Sequence, residues 1–193
     1  DVLGERAAAL SELWRAKQLQ YTWLRALMGT HAPFWQVTGE ALDYAMETLG
    51  IDDPALRERL MQLYLRLQPF PDVVETLRTL QDAGIRTAIL TNGSPEMIDA
   101  ACAHAGLTPL LDAVLSVEAV GVFKPHPKVY ALATDHLQLA PAEVVFVSSN
   151  GWDAVGAAQF GFPVAWCNRY AQRRERLPAQ PHTEIQTLET LPG

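Results

Sequence analysis

Residues 86–97 read RTAILTNGSPEM, a segment in which a short apolar strand runs into a polar turn and then into a helix. Ser94 is a favoured helix-capping residue, and Pro95 suits the first helical position. Residues 143–153, EVVFVSSNGWD, repeat this order of strand, polar turn and helix start. Strands separated by helices of about ten residues are typical of right-handed βαβ units, so the sequence predicts an α/β fold with a parallel sheet.

The N-terminal third of the chain has a different pattern, which predicts helices only. Apolar side chains recur at three- and four-residue steps from Leu10 to Met28, as in an amphipathic helix. We expect Thr38 to cap a second helix that stops at Gly50, and Asp53-Pro54 to open a third through about Leu67. The later predicted elements are helices at 72–83, 94–106, 127–137 and 153–160, and strands at 86–91 (buried), 113–116, 143–148 and, finally, 163–167.

The composition excludes several classes of protein. Hydrophobic residues make up 49% of the 193 residues, which suffices for the core of one domain with a small subdomain. The net charge of −7 gives no reason to expect nucleic acid or an anionic membrane as partner. No apolar run approaches the roughly 20 residues of a membrane span. Cys102 and Cys167 are far apart without a CxxC pattern, which argues against a zinc site or disulfide framework and predicts a cytoplasmic protein.

Polar residues follow the predicted strands at the carboxyl ends, where parallel sheets bind ligands. Thr91 and Asn92 form one such group, and residues 148–153 (SSNGWD) form another. The alternative interpretation of both groups is an ordinary helix-capping turn without a function in binding. Lys124, set between Phe123 and a proline, is either an exposed loop lysine or a fixed ammonium for an anion or carboxylate. Asp153 would then be a base or the electrostatic partner of Lys124.

These motifs together resemble those of a known enzyme family. Thr-Asn after one strand, Lys-Pro before a helix and Ser-Ser-Asn-x-x-Asp after another strand are similar, in that order, to the second, third and fourth motifs of the haloacid dehalogenase superfamily. The amino-acid sequences of five separate segments are similar to those of one branch of this superfamily, the type II (S)-2-haloacid dehalogenases. The segments are LWRAKQLQYTWLR (13–25), TNGSPEMI (91–98), FKPHPKVY (123–130), FVSSNGWD (146–153) and FGFPVAWCNR (160–169).

The resemblance implies a Rossmann-like core (residues 68–193) and an inserted helical cap (residues 1–67). It implies hydrolysis of short (S)-2-haloalkanoic acids to (R)-2-hydroxy acids through an aspartyl ester, without metal or cofactor, and a homodimer formed through the cap. It implies that Thr91 and Asn92 bind the substrate carboxylate, and that Lys124 keeps the nucleophile ionised, with Tyr130, Ser148 and Asn150 around it. It implies that Arg15 contacts the halide and that Asp153 supports hydrolysis. It also implies an apolar wall formed by Leu19, Phe34 and Trp152. Of these, Tyr130 is also expected among the substrate-binding residues.

A phosphatase of the same superfamily is the alternative enzyme. Magnesium prefers several hard oxygen ligands, and superfamily phosphatases place an acidic pair around the fourth motif. Ser149 stands where the second acid would be, which favours the dehalogenase.

The superfamily's first motif, a strand ending in Asp-x-Tyr-Gly-Thr that carries the nucleophile, has no match in these 193 residues. Asp1 follows no apolar strand, so we do not expect it to be the nucleophile. That strand normally lies in the middle of the sheet. We therefore expect residues 1–193 alone to be inactive toward 2-chloropropionate, and a binding-only scaffold is a further alternative.

Overall fold

The computed structural model describes residues 4 and 6–191, and its parallel strands with flanking helices confirm the α/β prediction. Asp1 lies outside the described residues. Among the described residues, no helix has the length and apolar character needed to cross a membrane. The helices are α1 (Arg6–Met28), α2 (Phe34–Thr48), α3 (Pro54–Gln62), α4 (Val73–Asp82), α5 (Pro95–His104), α6 (Pro127–Leu137) and α7 (Gly151–Phe160), and the strands are β1 (Ala88–Thr91), β2 (Ala113–Ser116), β3 (Phe146–Ser148), β4 (Val164–Cys167) and β5 (Thr183–Ile185).

The strands form two parallel sheets. One contains β1 and β2 and the other has the order β3-β4-β5, so that within residues 6–191 β1 and β3 are not hydrogen-bonded to each other. The strand predicted at 86–91 forms at 88–91, but it is not buried as predicted. Within residues 6–191, Ala88 is exposed, the rest of β1 is half-buried, and no strand pairs with its second edge. The prediction that 163–167 is the final strand is also wrong, since β5 pairs beside β4.

The first three helices pack on one another around an apolar cluster that includes Leu10, Trp14 and Leu42. The prediction that Thr38 caps the second helix is wrong. Helix α2 begins at Phe34, and Thr38 lies buried inside it, where its hydroxyl donates to the Phe34 carbonyl at 2.7 Å. Asp53 caps α3 as predicted, since its carboxylate accepts from the Leu56 N–H at 2.8 Å.

A second cluster joins these helices to the sheet part of the chain. Phe34 and Val37 of α2 pack with Phe123 and Val129, which lie before and within α6. The Glu118 carboxylate, after β2, accepts from the Phe34 N–H at 3.2 Å and pairs with His31 at 2.9 Å. These contacts fix α2 over the carboxyl ends of the strands. The boundary between cap and core at residue 67 stays a prediction.

Asp72, just before α4, fastens the C-terminal segment to this fold. Its Oδ2 accepts from Arg169 at 2.8 Å and from the Leu188 N–H at 2.7 Å, and only 7% of its side chain is exposed. Burial alone would raise the pKa of Asp72, but the hydrogen bonds from Arg169 and the Leu188 N–H hold it below the ordinary 3.8. The carboxylate therefore stabilises the fold most at neutral pH.

Replacing Asp72 with Asn is expected to lower the free energy of unfolding at pH 7 by about 2 kcal/mol, because charge-assisted hydrogen bonds are lost. Because the folded pKa is lowered, this contribution is fully present above the unfolded value of 3.8 and disappears as the pH falls through the folded value. Urea unfolding across this pH range measures it, with Asp82→Asn at the exposed end of α4 as control. A difference that persists at low pH would contradict the account.

Candidate active site

A cavity of about 480 Å³ lies between the helical part and the carboxyl ends of β1 and β3. It collects residues that are far apart in the sequence, as parallel sheets do. Ten of the eleven predicted site residues line it: Arg15, Leu19, Phe34, Thr91, Asn92, Lys124, Ser148, Asn150, Trp152 and Asp153.

Lys124 and Asp153 form an ion pair at the floor of the cavity. Lys124 Nζ donates to Asp153 Oδ2 at 2.9 Å, and the side chains are only 8% and 5% exposed. The Ser148 hydroxyl donates to the same oxygen at 2.9 Å. An ammonium and a hydroxyl both stabilise the ionised carboxylate. The exposed-loop alternative for Lys124 is therefore wrong, and the predicted pairing with Asp153 is confirmed.

Tyr130 lies behind this pair rather than in the cavity wall. Its ring is fully buried, and its hydroxyl donates to Asp153 Oδ1 at 2.8 Å. Burial and the negative charge of Asp153 both raise the pKa of Tyr130, so the phenol stays protonated as a donor. Asp153 lines the cavity and Tyr130 does not, so a contact between Tyr130 and substrate stays a prediction.

Gly156 of α7 makes the approach of Tyr130 possible. A Cβ atom at this position would lie 2.5 Å from the Tyr130 hydroxyl and 2.7 Å from Pro125. Any side chain here would force α7 away from α6 and shift the donor that holds Asp153. Gly156 was missed by the sequence analysis, in which a glycine inside a predicted helix gave no signal of this contact.

The turn after β1 is built as a donor site. Thr91 Oγ1 accepts from the Gly93 N–H at 3.0 Å, which leaves its own O–H free to donate. Asn92 Oδ1 accepts from the Lys124 N–H at 3.0 Å, which directs the amide NH₂ group away from that contact. A hydroxyl and an amide are suitable donors for a carboxylate.

Arg15 of α1 is a cation without a carboxylate partner in residues 6–191. Its guanidinium donates to Gln18 Oε1 at 2.8 Å and to Asn150 Oδ1 at 2.9 Å, and both acceptors are neutral amides. Displacement of water by the surrounding protein lowers the pKa of Arg15, although the side chain keeps an open face in the cavity. The positive charge of this guanidinium, which no carboxylate neutralises within residues 6–191, favours a bound anion. Asn150 was predicted beside Lys124; its side chain contacts Arg15, while its N–H donates to Ser148.

Aromatic and aliphatic side chains complete the wall. Leu19 and Phe34 come from the helical part, and Trp152 comes from the first turn of α7. The Trp152 ring meets Trp23 of α1 edge-on, with 5.6 Å between centroids, which closes one side of the cavity. A small substrate with an apolar carbon skeleton fits such a wall.

The sequence analysis missed two further residues, one hydrogen-bonded to residues that line the cavity and one in the lining itself. Gln18 is fully buried, and Tyr64 lines the cavity from the turn at 63–65 after α3. In the sequence, Gln18 lies among the polar positions of an amphipathic helix. Nothing in that pattern shows that its amide faces inward.

Comparison with known proteins now identifies the family. A family model for haloacid dehalogenase-like hydrolases matches residues 4–161. The chain belongs to this family. Among curated relatives, (S)-2-haloacid dehalogenase 1 of Pseudomonas sp. (strain CBS-3) is 44% identical, over 98% of this chain and 84% of that protein. The (S)-2-haloacid dehalogenase of Pseudomonas sp. (strain YL) is 47% identical, over 95% and 79%.

A solved structure agrees with the assignment of this chain to the haloacid dehalogenase-like hydrolases. The L-2-haloacid dehalogenase of Xanthobacter autotrophicus, with chloropropionic acid covalently bound, superposes with a TM-score of 0.89 at 43% identity, over 97% of this chain and 85% of that one. Identity of this level over nearly the whole chain places it in the (S)-2-haloacid dehalogenase branch, among hydrolases of carbon–halide bonds. Both the predicted family and the predicted fold class are confirmed.

Proposed function

We propose that this site hydrolyses short (S)-2-haloalkanoic acids to (R)-2-hydroxy acids through an aspartyl-ester intermediate. The observation that carries the proposal is the position of Arg15, a cation whose two hydrogen-bond acceptors are neutral amides. Arg15 lines the same cavity as the Lys124–Asp153 ion pair. An anion site and a carboxylate-activating lysine in one cavity are what displacement of a halide requires.

The substrate carboxylate is assigned to the turn after β1. The free hydroxyl hydrogen of Thr91 and the NH₂ group of Asn92 are the donors available there. The halogen then points at Arg15 and Asn150, and the alkyl group rests on Leu19, Phe34 and Trp152. Fixing both ends of a small molecule places its C2 atom between them, where only one enantiomer presents the correct face.

The reaction takes two balanced steps. A carboxylate oxygen attacks C2 from the side opposite the halogen, the carbon–halogen bond breaks, and the halide leaves with the bonding electrons. Water then adds to the carbonyl carbon of the new ester, which releases the 2-hydroxy acid, one proton and the original carboxylate. Inversion occurs only in the first step, which accounts for the (R) product. The covalent chloropropionic acid in the Xanthobacter autotrophicus structure supports such an intermediate in a relative.

Lys124 and Asp153 serve different steps. Lys124 uses one of its three N–H donors on Asp153, and the other two remain for a nucleophilic carboxylate. Asp153 accepts from Lys124, Ser148 and Tyr130, and one acceptor position on Oδ1 remains to orient the hydrolytic water. Asp153 is thereby a base for water rather than the nucleophile.

The nucleophile is assigned to a carboxylate beyond the described residues, because Asp153 is the one carboxylate among the described residues lining the cavity. We propose that it ends a strand paired between β1 and β3. The carboxyl ends of both strands line the cavity, and each strand has an edge without a hydrogen-bonded neighbour in residues 6–191. A parallel strand there would pair both edges and carry its last residue toward Lys124.

The test uses residues 1–193 co-expressed with a short apolar strand segment ending in Asp-x-Tyr-Gly-Thr, which we term the complemented protein. Chloride release and product chirality are measured with both enantiomers of 2-chloropropionate. We expect (S)-2-chloropropionate to give (R)-lactate, with negligible release from the (R) enantiomer. Equal rates with both enantiomers, or (S)-lactate as product, would overturn the proposed geometry.

A phosphatase is less well supported by the same cavity. Asp153 is paired with Lys124, and Ser149 rather than an acid lines the cavity beside it. A magnesium site would need further hard oxygen ligands, and the described residues contain no cluster of three suitable acidic, His or Cys side chains. Release of phosphate from a small phosphomonoester by the complemented protein would reverse this preference.

We also propose a homodimer formed through the helical part. Trp14 is buried, and Trp23 is partly exposed although it meets Trp152 edge-on. Leu24, Leu27 and Met28 of α1 are 44%, 85% and 64% exposed. Leu24 and Met28 line a groove together with Tyr21, Arg25 and Glu40, and Leu27 lies on the same helix. A protruding apolar ridge next to a groove on one face can fit a second copy of itself across a two-fold axis.

Leu27→Glu is expected to convert the dimer to a monomer at micromolar concentration, because it places a charge at the most exposed of the three apolar side chains. Size-exclusion chromatography with light scattering measures the mass. Leu177→Glu, at another exposed leucine, is the matched control and should leave the dimer intact. A wild-type monomer would contradict the proposal.

A cytoplasmic location is proposed from the thiols. Cys102 and Cys167 are both unpaired and buried. Unpaired cysteines suit a reducing compartment, where no disulfide is needed to stabilise the fold.

A further inference from the structure

We propose that the hydroxyl of Tyr64 is a second hydrogen-bond donor to the halide bound by Arg15, and that the amide of Gln18 holds both donors in place. This inference rests on the proposed function, since it assigns a further residue to the halide site. Tyr64 would contact the leaving group directly, whereas Gln18 would be a positioning residue.

Gln18 connects the two donors through opposite ends of one amide. Its Oε1 accepts from Arg15 at 2.8 Å, and its Nε2 donates to the Tyr64 hydroxyl oxygen at 3.0 Å. The same Nε2 donates to Thr38 Oγ1 at 2.8 Å. Because Gln18 is fully buried, this amide orientation is fixed by three partners, and no water competes for it.

The direction of the hydrogen bond at Tyr64 leaves its proton available. The phenol oxygen accepts from Gln18, and within the described residues the hydroxyl donates to no acceptor. Burial raises the pKa of Tyr64, so the hydroxyl stays neutral and keeps that proton. Tyr64 and Arg15 both line the cavity, so the proton can be directed toward the same anion.

The Tyr64 ring is also held rigidly. It meets Trp14 edge-on, with 5.4 Å between centroids, and the Trp14 indole N–H donates to the Thr38 carbonyl at 2.9 Å. A donor that is fixed before the reaction stabilises developing charge without reorganising. The arrangement therefore suits a site for a small anion that forms as the carbon–halogen bond breaks.

Chloride binding to the 193-residue protein tests this inference without requiring turnover. Binding is measured by chloride NMR line broadening, and propanoate binding, by titration, reports the carboxylate site separately. Tyr64→Phe is expected to weaken chloride binding about ten- to hundredfold, the usual effect of one hydrogen bond to a charged group. Gln18→Met should weaken it at least as much. Propanoate binding should change less than about twofold in both variants, an effect that general damage to the fold would not produce.

Tyr44→Phe is the matched control, because Tyr44 lies on the exposed side of α2 and outside the cavity. If Arg15→Gln abolishes chloride binding while Tyr64→Phe leaves it unchanged, the role of Tyr64 is overturned and the halide site stands. If Arg15→Gln also leaves chloride binding unchanged, the halide site of the proposed function fails as well.

Discussion

Lys124→Met should abolish chloride release by the complemented protein, with a loss of at least about 10³-fold. The substitution removes the ammonium to which the proposal assigns the nucleophile, and it leaves Asp153 as a buried carboxylate without its ion-pair partner. Removing one partner of a buried ion pair also costs about 3–5 kcal/mol of stability. Steady-state chloride release and urea unfolding measure the two effects.

Two further variants separate chemistry from folding in this prediction. The double variant Lys124→Met/Asp153→Asn removes both charges and should regain much of the lost stability while remaining inactive. Lys128→Met, at an exposed lysine in the first turn of α6, should behave as wild type. An active Lys124→Met variant would remove the lysine from the mechanism.

Arg15→Lys should lower kcat for chloride release about 100-fold. The guanidinium donates to Gln18 and Asn150 with two separate nitrogens and still faces the cavity, which a single ammonium cannot reproduce. Since the halide carries charge only as the bond breaks, the effect should fall on kcat more than on KM. Arg59→Lys, on the exposed side of α3, is the control. A change confined to KM would contradict a role in leaving-group stabilisation.

The sequence correctly predicted those helices and strands that are marked by a local pattern, such as a capping residue, a proline or an apolar run. The helix at 127–137 and the strand at 113–116 have the predicted bounds, and α6 begins at the proline that favours a first helical position. The start of α2 was missed because Thr38 is a good capping residue in isolation. In the structure the Phe34 N–H is instead satisfied by Glu118, which is distant in sequence.

The short strand β5 could not be predicted from the sequence, for a second reason. Of its three residues only Ile185 is buried, so no alternating apolar pattern marks it. Its position depends on pairing with β4, a tertiary contact.

In the candidate site, too, some residues were predictable from local patterns, and others depend on contacts between distant parts of the chain. Thr91 ends β1 and Asp153 lies in the first turn of α7 after β3, so a general rule about parallel sheets located them. Lys124 lies in the segment between β2 and α6. The contact between Arg15 and Asn150 crosses 135 positions of the sequence, and the amide of Gln18 turns inward only because Thr38 and Tyr64 lie opposite it. Such partners follow from packing between the helical and sheet parts, which no local pattern encodes.

Chloride release from (S)-2-chloropropionate by three samples tests the central claim most directly. The samples are residues 1–193 alone, the complemented protein, and the same complex with the strand's aspartate replaced by asparagine. We predict release only from the complemented protein, with one chloride per molecule of (R)-lactate formed. Release by residues 1–193 alone, or equal release with the asparagine strand, would mean that the nucleophile lies elsewhere and would contradict the account.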